Sequence, residues 1–390
     1  MIRIAVTGAG VVSPIAVGTA AFADALFESR SAIAPARSEH GLELAARVGE
    51  FGARAQIAAA SLRRMPRLTQ MTVVAAKQAL AEAQLGYDST RIGIVGATGL
   101  GTIDETLGFT KSYVDGGPQG ASPALFPVSV MNAVAGQLAL ECGLRGVNST
   151  VNHRDHSALS AIGFACDMLA LGRAEALVVA GFDELSAPVE HGYVKMGGVS
   201  ARALKPYDVA RDGLVPGEGA VVIVLEREDD ARKRGARARA ILTARGESSE
   251  HRPRVGWGRD AEWPEAARAV AEAVRERGAD RVSWIAGGGN GSSLDARELA
   301  AVAAGLARRA PASSILGQTG EFFSSAMLRV LATLAAFERQ TLPGTVGLER
   351  ADGAWDADLV RAPRSARVDG VLVPSFAQGG ANLALMMERS

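Results

Sequence analysis

The stretch GVNSTVNHRDHSALSAIGFACDMLALGRAEALVVAG, residues 146–181, constrains the fold more than any other. It reads as strand, tight turn, long helix, strand. Val151 ends the first strand, and the helix starts near His156. Leu159, Ile162, Ala165, Cys166 and Leu169 recur at the spacing of one helical face. Leu177 to Ala180 make a short, fully apolar strand. An elbow of this kind commonly aims a nucleophile off the helix N-terminus, where the dipole stabilises a thiolate or an oxyanion. Here the turn is Asn-His-Arg-Asp-His, and no cysteine sits on it.

The same alternation runs along the chain. Strands are expected at Ile2–Val6, Arg91–Ala97, Ala220–Leu225, Val282–Ala286, Val368–Val373 and Leu383–Met387. Helices are expected near Thr69–Gln84, within Ala124–Leu144, at Arg227–Arg234, at Ala261–Arg277, after the loop GGGNGSS, and within Gly317–Glu338. Strands alternating with helices imply an α/β architecture. The Arg/Gly-rich segment near Ala236–Trp257 is the best candidate for a join, giving halves at 1–240 and 241–390.

Composition excludes several classes. Lys+Arg and Asp+Glu are both 42, which argues against a general binder of nucleic acid or of an anionic membrane. Two cysteines, Cys142 and Cys166, give neither a disulfide framework nor a zinc spacing, so no metal is expected and a reducing cytoplasm fits. The opening MIRIAVTGAG reads as a strand, with an apolar run too short for a signal peptide, and no run approaches a membrane span.

The ordered set of VTGAGVVSP, KPYDVARDGLVPGEGAVVIVLE, RGARARAIL and PSFAQGGANLAL resembles the β-ketoacyl synthase family of the thiolase fold, over nearly the whole chain. The resemblance implies a five-layer α-β-α-β-α structure made of two related halves, pairing as a dimer through a strand of the first half. It also implies a cysteine that takes an acyl chain as a thioester. Two histidines then help to decarboxylate a malonyl thioester, which an acyl carrier protein presents on phosphopantetheine. Carried over by position, the cysteine falls on Asp155 and the first histidine on Gly288. The second falls on Gln318 or, with another gap placement, on Gly320 or Glu321; a family lysine falls near Ser313. The five histidines are His40, His153, His156, His191 and His251, and none lies beyond 251, where both family histidines belong. The family's gating phenylalanine falls on Gln378, with Phe376 two residues earlier; these two and Asn290 are the candidate tunnel residues.

Two functional readings follow. In the first, the chain resembles a non-condensing chain-length factor of a type II polyketide or related polyene system. It pairs with a catalytic ketosynthase and walls the tunnel for the growing chain. In the second, it is a standalone decarboxylase, acyltransferase or hydrolase with a rebuilt site at His153, Asp155 and His156. Against the second stands a simpler role for Asp155, as a cap on the helix N-terminus. Cys166 lies about three turns down the helix and reads as a buried structural thiol, as does Cys142. Asp295 and Glu298 read as a carboxylate pair or as first-turn helix residues. Asp208, Arg211, Asp212 and Glu218 read as one ion network. The glycines of 287–291 could cradle phosphate, but no P-loop lysine follows them. Arg63, Arg64 and Arg67, with Lys77 and Arg91 beyond, form a basic run. It is either a solvated helix face or a dock for an acidic carrier protein.

Overall fold

The computed structural model describes residues 2–250, 263–352 and 357–390. Eleven strands form one sheet. In chain order they are β1 (Ile4–Val12), β2 (Ile92–Ala97), β3 (Asn148–Val151), β4 (Ala176–Asp183), β5 (Gly219–Arg227) and β6 (Ala240–Ser249), then β7 (Trp284–Ala286), β8 (Pro311–Ser313), β9 (Asp358–Leu359), β10 (Gly370–Phe376) and β11 (Ala381–Glu388). Their order across the sheet is β9-β8-β7-β10-β11-β6-β1-β5-β4-β2-β3. Outward from the antiparallel seam between β1 and β6, the first half runs β1-β5-β4-β2-β3. The second runs β6-β11-β10-β7-β8. Leaving aside the two-residue β9, each half visits its first, fifth, fourth, second and third strand in turn, so the letters differ but the topology repeats.

The helices that position the site are α1 (Arg67–Ala83), α2 (Ile103–Gly120), α3 (Ala133–Cys142), α4 (Ser157–Ala170), α5 (Ala187–Met196), α6 (Pro264–Arg275), α7 (Leu294–Leu306) and α8 (Ala326–Arg339). Alternation of side chains along each strand sorts the core into layers. Val95, Val179, Ile223, Val371 and Leu385 face the central pair α4 and α8. Ile94, Val178 and Val222 face α1 and α3 on one outer side. Leu372, Ala384 and Met386 face α6 and α7 on the other. This is the expected α-β-α-β-α stack. Apolar residues surround α8 almost completely, from Ala326 to Phe337, as a helix sandwiched between two sheet halves requires.

Two expectations change. β1 does not stop at Val6; it continues to Val12 through Gly8 and Gly10. A Cβ on Gly8 would lie 2.1 Å from the Ala79 carbonyl oxygen, and one on Gly10 2.0 Å from that of Ala75. These glycines let α1 lie directly on the strand. Ala240–Ser249, expected as part of a join, is a ten-residue strand at the middle of the sheet. The rest of that segment, with His251 and the start of the helix expected from Ala261, lies outside the described residues.

Among the described residues, β3 is an edge strand, paired only with β2. Beside it Leu140 is 85% exposed, and Phe126, Val130 and Met131 are also exposed. Among the described residues no helix is long and apolar enough to cross a membrane.

Candidate active-site cavity

The elbow between β3 and α4 is strained and tightly held. Arg154 sits at φ +55°, a left-handed conformation that a side chain of its size rarely adopts. The Ser157 hydroxyl accepts the His153 N–H at 2.9 Å and lies 2.6 Å from the Arg154 carbonyl oxygen. The Asp155 carboxylate does not cap α4, contrary to the simpler expectation. It reaches across to the loop after β10, where it accepts the Gln378 N–H at 3.1 Å.

Beneath the elbow lies a cavity of about 540 Å³. Asp155, Gly288 and Glu321 all line it, as do Phe376, Gln378 and Asn290. Of the alternatives for the third position, Glu321 is therefore the one that meets Asp155 and Gly288. Gln318 is buried elsewhere, its amide donating to the Leu26 carbonyl at 2.9 Å. Gly320 turns the chain at φ +65°, and Ser313 accepts the Trp284 indole N–H at 3.0 Å in the core. Neither histidine of the elbow lines the cavity. His153 is exposed, with Nδ1 3.0 Å from Ser160 Oγ. His156 is buried, with Nδ1 3.2 Å from Ser375 Oγ, and burial lowers its pKa to about 4, so the ring is neutral. The grouping His153, Asp155 and His156 thus brings only Asp155 to the cavity.

Among the described residues, four carboxyl groups and two guanidinium groups meet here: Asp155, Asp295, Glu298 and Glu321 against Arg154 and Arg329. Glu321 accepts the Asn290 amide N–H at 2.6 Å. Burial pushes its pKa up to about 8, and the nearby Asp155 and Asp295 add to the rise. Burial likewise raises Asp155 against the opposing pull of the Gln378 N–H. Asp295 lies in the first turn of α7, as expected, and its carboxylate pins two loops by accepting N–H groups from Tyr207 (2.7 Å), Asn290 (2.8 Å) and Gly291 (3.1 Å). Burial still pushes it up to about 7. The Gly288 N–H donates to Glu298 and the Gly289 N–H to the Tyr207 hydroxyl. The loop's N–H groups from 288 to 291 therefore have internal acceptors and do not form an empty phosphate cradle.

Sequence reasoning missed Arg329, a buried cation in the apolar run AMLRVLATLAAF; that single charge was the available signal. Its Nη1 donates to the Ala286 carbonyl at 3.1 Å and to that of Pro374, and Nε has no hydrogen-bond partner among the described residues. A Cβ on Gly288 would lie 3.2 Å from this Nη1, so the glycine makes room for the guanidinium. The mouth was also not foreseen. Arg154 lies over the Phe323 ring, Phe323 stacks on Tyr193, and Trp263 meets Phe376 edge-on.

Cys166 is fully buried and its thiol is pushed up to about 12; Cys142, expected to be buried as well, is only partly so, and its thiol is pushed up to about 11. Neither lines the cavity. The expected single ion network divides. Glu218 binds Arg67, while Asp208 accepts N–H groups of Ala210, Glu349 and Arg350. The basic run divides as well. Arg63 and Arg64 are exposed, but Arg67 pairs with Glu218 and Glu184, Lys77 with Glu141, and Arg91 donates to the Gly172 carbonyl. Among the described residues no group of three or more His, Cys, Asp or Glu is placed to hold a metal ion.

The family model "Beta-ketoacyl synthase, N-terminal domain" matches residues 1–231. The tetracenomycin polyketide synthase ketoacyl synthase alpha subunit of Streptomyces glaucescens is 31% identical, covering 99% of this chain and 97% of that protein. A crystal structure of a β-ketoacyl synthase from Burkholderia phymatum STM815 superposes with a TM-score of 0.91 at 25% identity, over all of both chains. The ishigamide ketosynthase/chain length factor superposes with a TM-score of 0.88 at 24% identity, over 100% of this chain and 99% of that one.

Proposed function

Since the chain belongs to the β-ketoacyl synthase family, we propose that it is a non-condensing, chain-length-factor-type subunit that pairs with a catalytic ketosynthase. One observation carries this reading: among the described residues, the cavity beneath the elbow is lined by no thiol and no imidazole. The resemblance puts the nucleophile on Asp155 and one histidine on Gly288; the other falls on Gln318, Gly320 or Glu321, of which Glu321 lines the cavity with the first two. Acyl transfer to the Asp155 carboxylate, with the carrier thiolate leaving, would give a mixed anhydride, which water hydrolyses, so the elbow cannot hold a growing chain covalently for long. What the cavity retains is shape. Leu214, Leu316, Phe322, Phe323, Phe376 and Trp263 supply apolar walls, and the volume they enclose limits what fits.

The bare edge of β3 and the exposed apolar side chains beside it support pairing with a second chain. In this reading the partner makes the carbon–carbon bonds, and an acyl carrier protein delivers substrate on its phosphopantetheine arm. Arg63 and Arg64 are the carrier-docking candidates; Arg67, committed to Glu218, contributes to the fold instead. The standalone alternative keeps one supporting observation, the shared placement of Asp155 and Glu321 in the cavity.

Co-expression with candidate ketosynthases tests the proposal. A stable one-to-one complex that condenses, from a chain that alone neither condenses nor releases carbon dioxide from malonyl-carrier thioester, is the expected result. A chain that forms only self-dimers, or that alone releases carbon dioxide in a manner abolished by Asp155→Asn, overturns it.

A further inference from the structure

The chamber under the elbow holds a buried cation whose hydrogen bonds are incomplete. Arg329 is only 6% exposed, yet it lines the cavity. Its Nη1 is taken up by the Ala286 and Pro374 carbonyls. Nε is closed off and unpartnered; Nη2 is not closed off in that way and also holds no hydrogen bond among the described residues. Gly288 leaves room here, since a Cβ on it would lie 3.2 Å from Nη1 and 3.5 Å from Nη2. Among the described residues no ion pair closes on this guanidinium. Glu298, its principal electrostatic partner, accepts the Gly288 N–H at 2.7 Å and the Tyr207 hydroxyl at 3.5 Å, and Asp295 is turned to loop N–H groups. A buried cation without a contacting anion is costly, and a carboxylate is the group whose planar oxygens suit a guanidinium.

The rest of the lining agrees. Glu321 accepts the Asn290 amide through Oε2 and holds no hydrogen bond at Oε1 among the described residues. It keeps its proton up to about pH 8, and Asp155 is raised in the same direction. At neutral pH Glu321 therefore brings an O–H donor to the cavity and no charge. Arg154 adds a second cation at the exposed mouth, which favours entry of an anion. Leu214, Leu316, Phe322 and Phe376 supply apolar wall, and about 540 Å³ is the size of a small-molecule site. A ligand that satisfies both features has an anionic head and a hydrocarbon body.

We propose that this chamber binds a carboxylate on a short aliphatic chain, seated on Arg329 Nη2 with the Glu321 carboxyl as its second donor. The carboxylate belongs either to a free organic acid or to a carboxyacyl group carried on pantetheine; the chemistry that recognises it is the same. The inference goes beyond the pairing role and stands without it, because it concerns a chamber this chain builds by itself.

The test is calorimetric titration of the purified full chain at about pH 6.5 with two matched pairs of probes. One pair is hexanoate and hexanamide; the other is the non-hydrolysable succinyl- and butyryl-pantetheine amides. In at least one pair the carboxylate binds at least about tenfold more tightly than its uncharged match, the effect of one charge-assisted hydrogen bond. A gap in the first pair alone identifies a free acid as the ligand, and a gap in the second identifies a carried carboxyacyl group. Arg329→Gln erases the gap and Glu321→Leu narrows it. The comparison within wild type decides the matter without either variant, should one fail to fold. Equal binding within both pairs, or binding of no probe, overturns the proposal and leaves the pairing role untouched. A gap that persists in folded Arg329→Gln overturns its assignment to Arg329.

Discussion

Replacing Glu321 by glutamine should make the protein more stable, and increasingly so as the pH rises. Glu321 is half-buried, holds one side-chain hydrogen bond, and shares its cavity with Asp155 and Asp295. Its pKa rises from the usual 4.5 to about 8. The folded chain therefore keeps this proton in a pH range where the unfolded chain has released it. Folding stability is then lost as pH climbs from about 4.5 towards about 8, and levels off above. Every tenfold change in proton affinity on folding corresponds to about 1.4 kcal/mol, giving a ceiling of about 5 kcal/mol; solvent in the cavity reduces this to about 2–3 kcal/mol. Glutamine imitates the protonated acid, still accepts from Asn290, and has no proton to lose. At about 2.1 cal/mol/K of unfolding entropy per residue, a 390-residue chain gains ~3 °C in melting temperature from this change. Scanning fluorimetry of wild type and Glu321→Gln from pH 5 to pH 9 measures it. The two curves should coincide at the acid end and separate by about 3 °C at the alkaline end, with the variant higher. A separation that does not change with pH, or a wild type that is the more stable at pH 9, refutes the buried-carboxyl argument.

Gly10→Ala puts a methyl group into the Ala75 carbonyl and should destabilise by about 3 kcal/mol or more, read as a fall in melting temperature and in soluble yield. Arg67→Ala leaves the buried Glu218 without its bidentate partner and should cost about 3–5 kcal/mol, measured by denaturant unfolding. By contrast, Arg63→Glu with Arg64→Glu should leave the melting temperature unchanged and weaken carrier-protein binding, measured by titration at low and high salt. Cys142 and Cys166 should resist a thiol reagent in the native chain and react at once in denaturant, since burial holds both as thiols; mass spectrometry under both conditions decides.

Much of the frame was legible because its signals are local. The apolar strands β2, β4, β5 and β10 and the helix α4 announce themselves through periodicity, and their ends shift by only a few residues. The continuation of β1 was not legible. Glycine favours a turn when read alone, and only the approach of α1, some seventy residues later in the chain, shows why Gly8 and Gly10 belong in a strand. The site divides in the same way. Asp155 and Gly288 were assigned from the ordered motifs that flank them, and both line the cavity. The third position could not be fixed, because a gap may fall on either side of Gly320, and only the cavity separates Gln318 from Glu321. Arg329, Phe323 and Trp263 come from three separate elements; nothing in their own neighbourhoods reports that they converge. Asp155 looked like a helix cap and Asp295 like a first-turn residue because both stand near helix starts. Asp295 is in that turn, and the two carboxylates accept N–H groups up to 223 residues away.

The two halves of the sheet are not finished alike. In the second half, the outermost strand of the repeated set, β8, is covered by the two-residue β9. Its counterpart in the first half, β3, has no such cover among the described residues. A molecule whose sheet ends on a two-residue strand at one rim and a four-residue strand at the other offers the longer template on one side only, and once two such longer rims meet only the short ones remain outside. Association by this route therefore terminates at a pair and cannot grow into a fibre, whichever chain supplies the second rim.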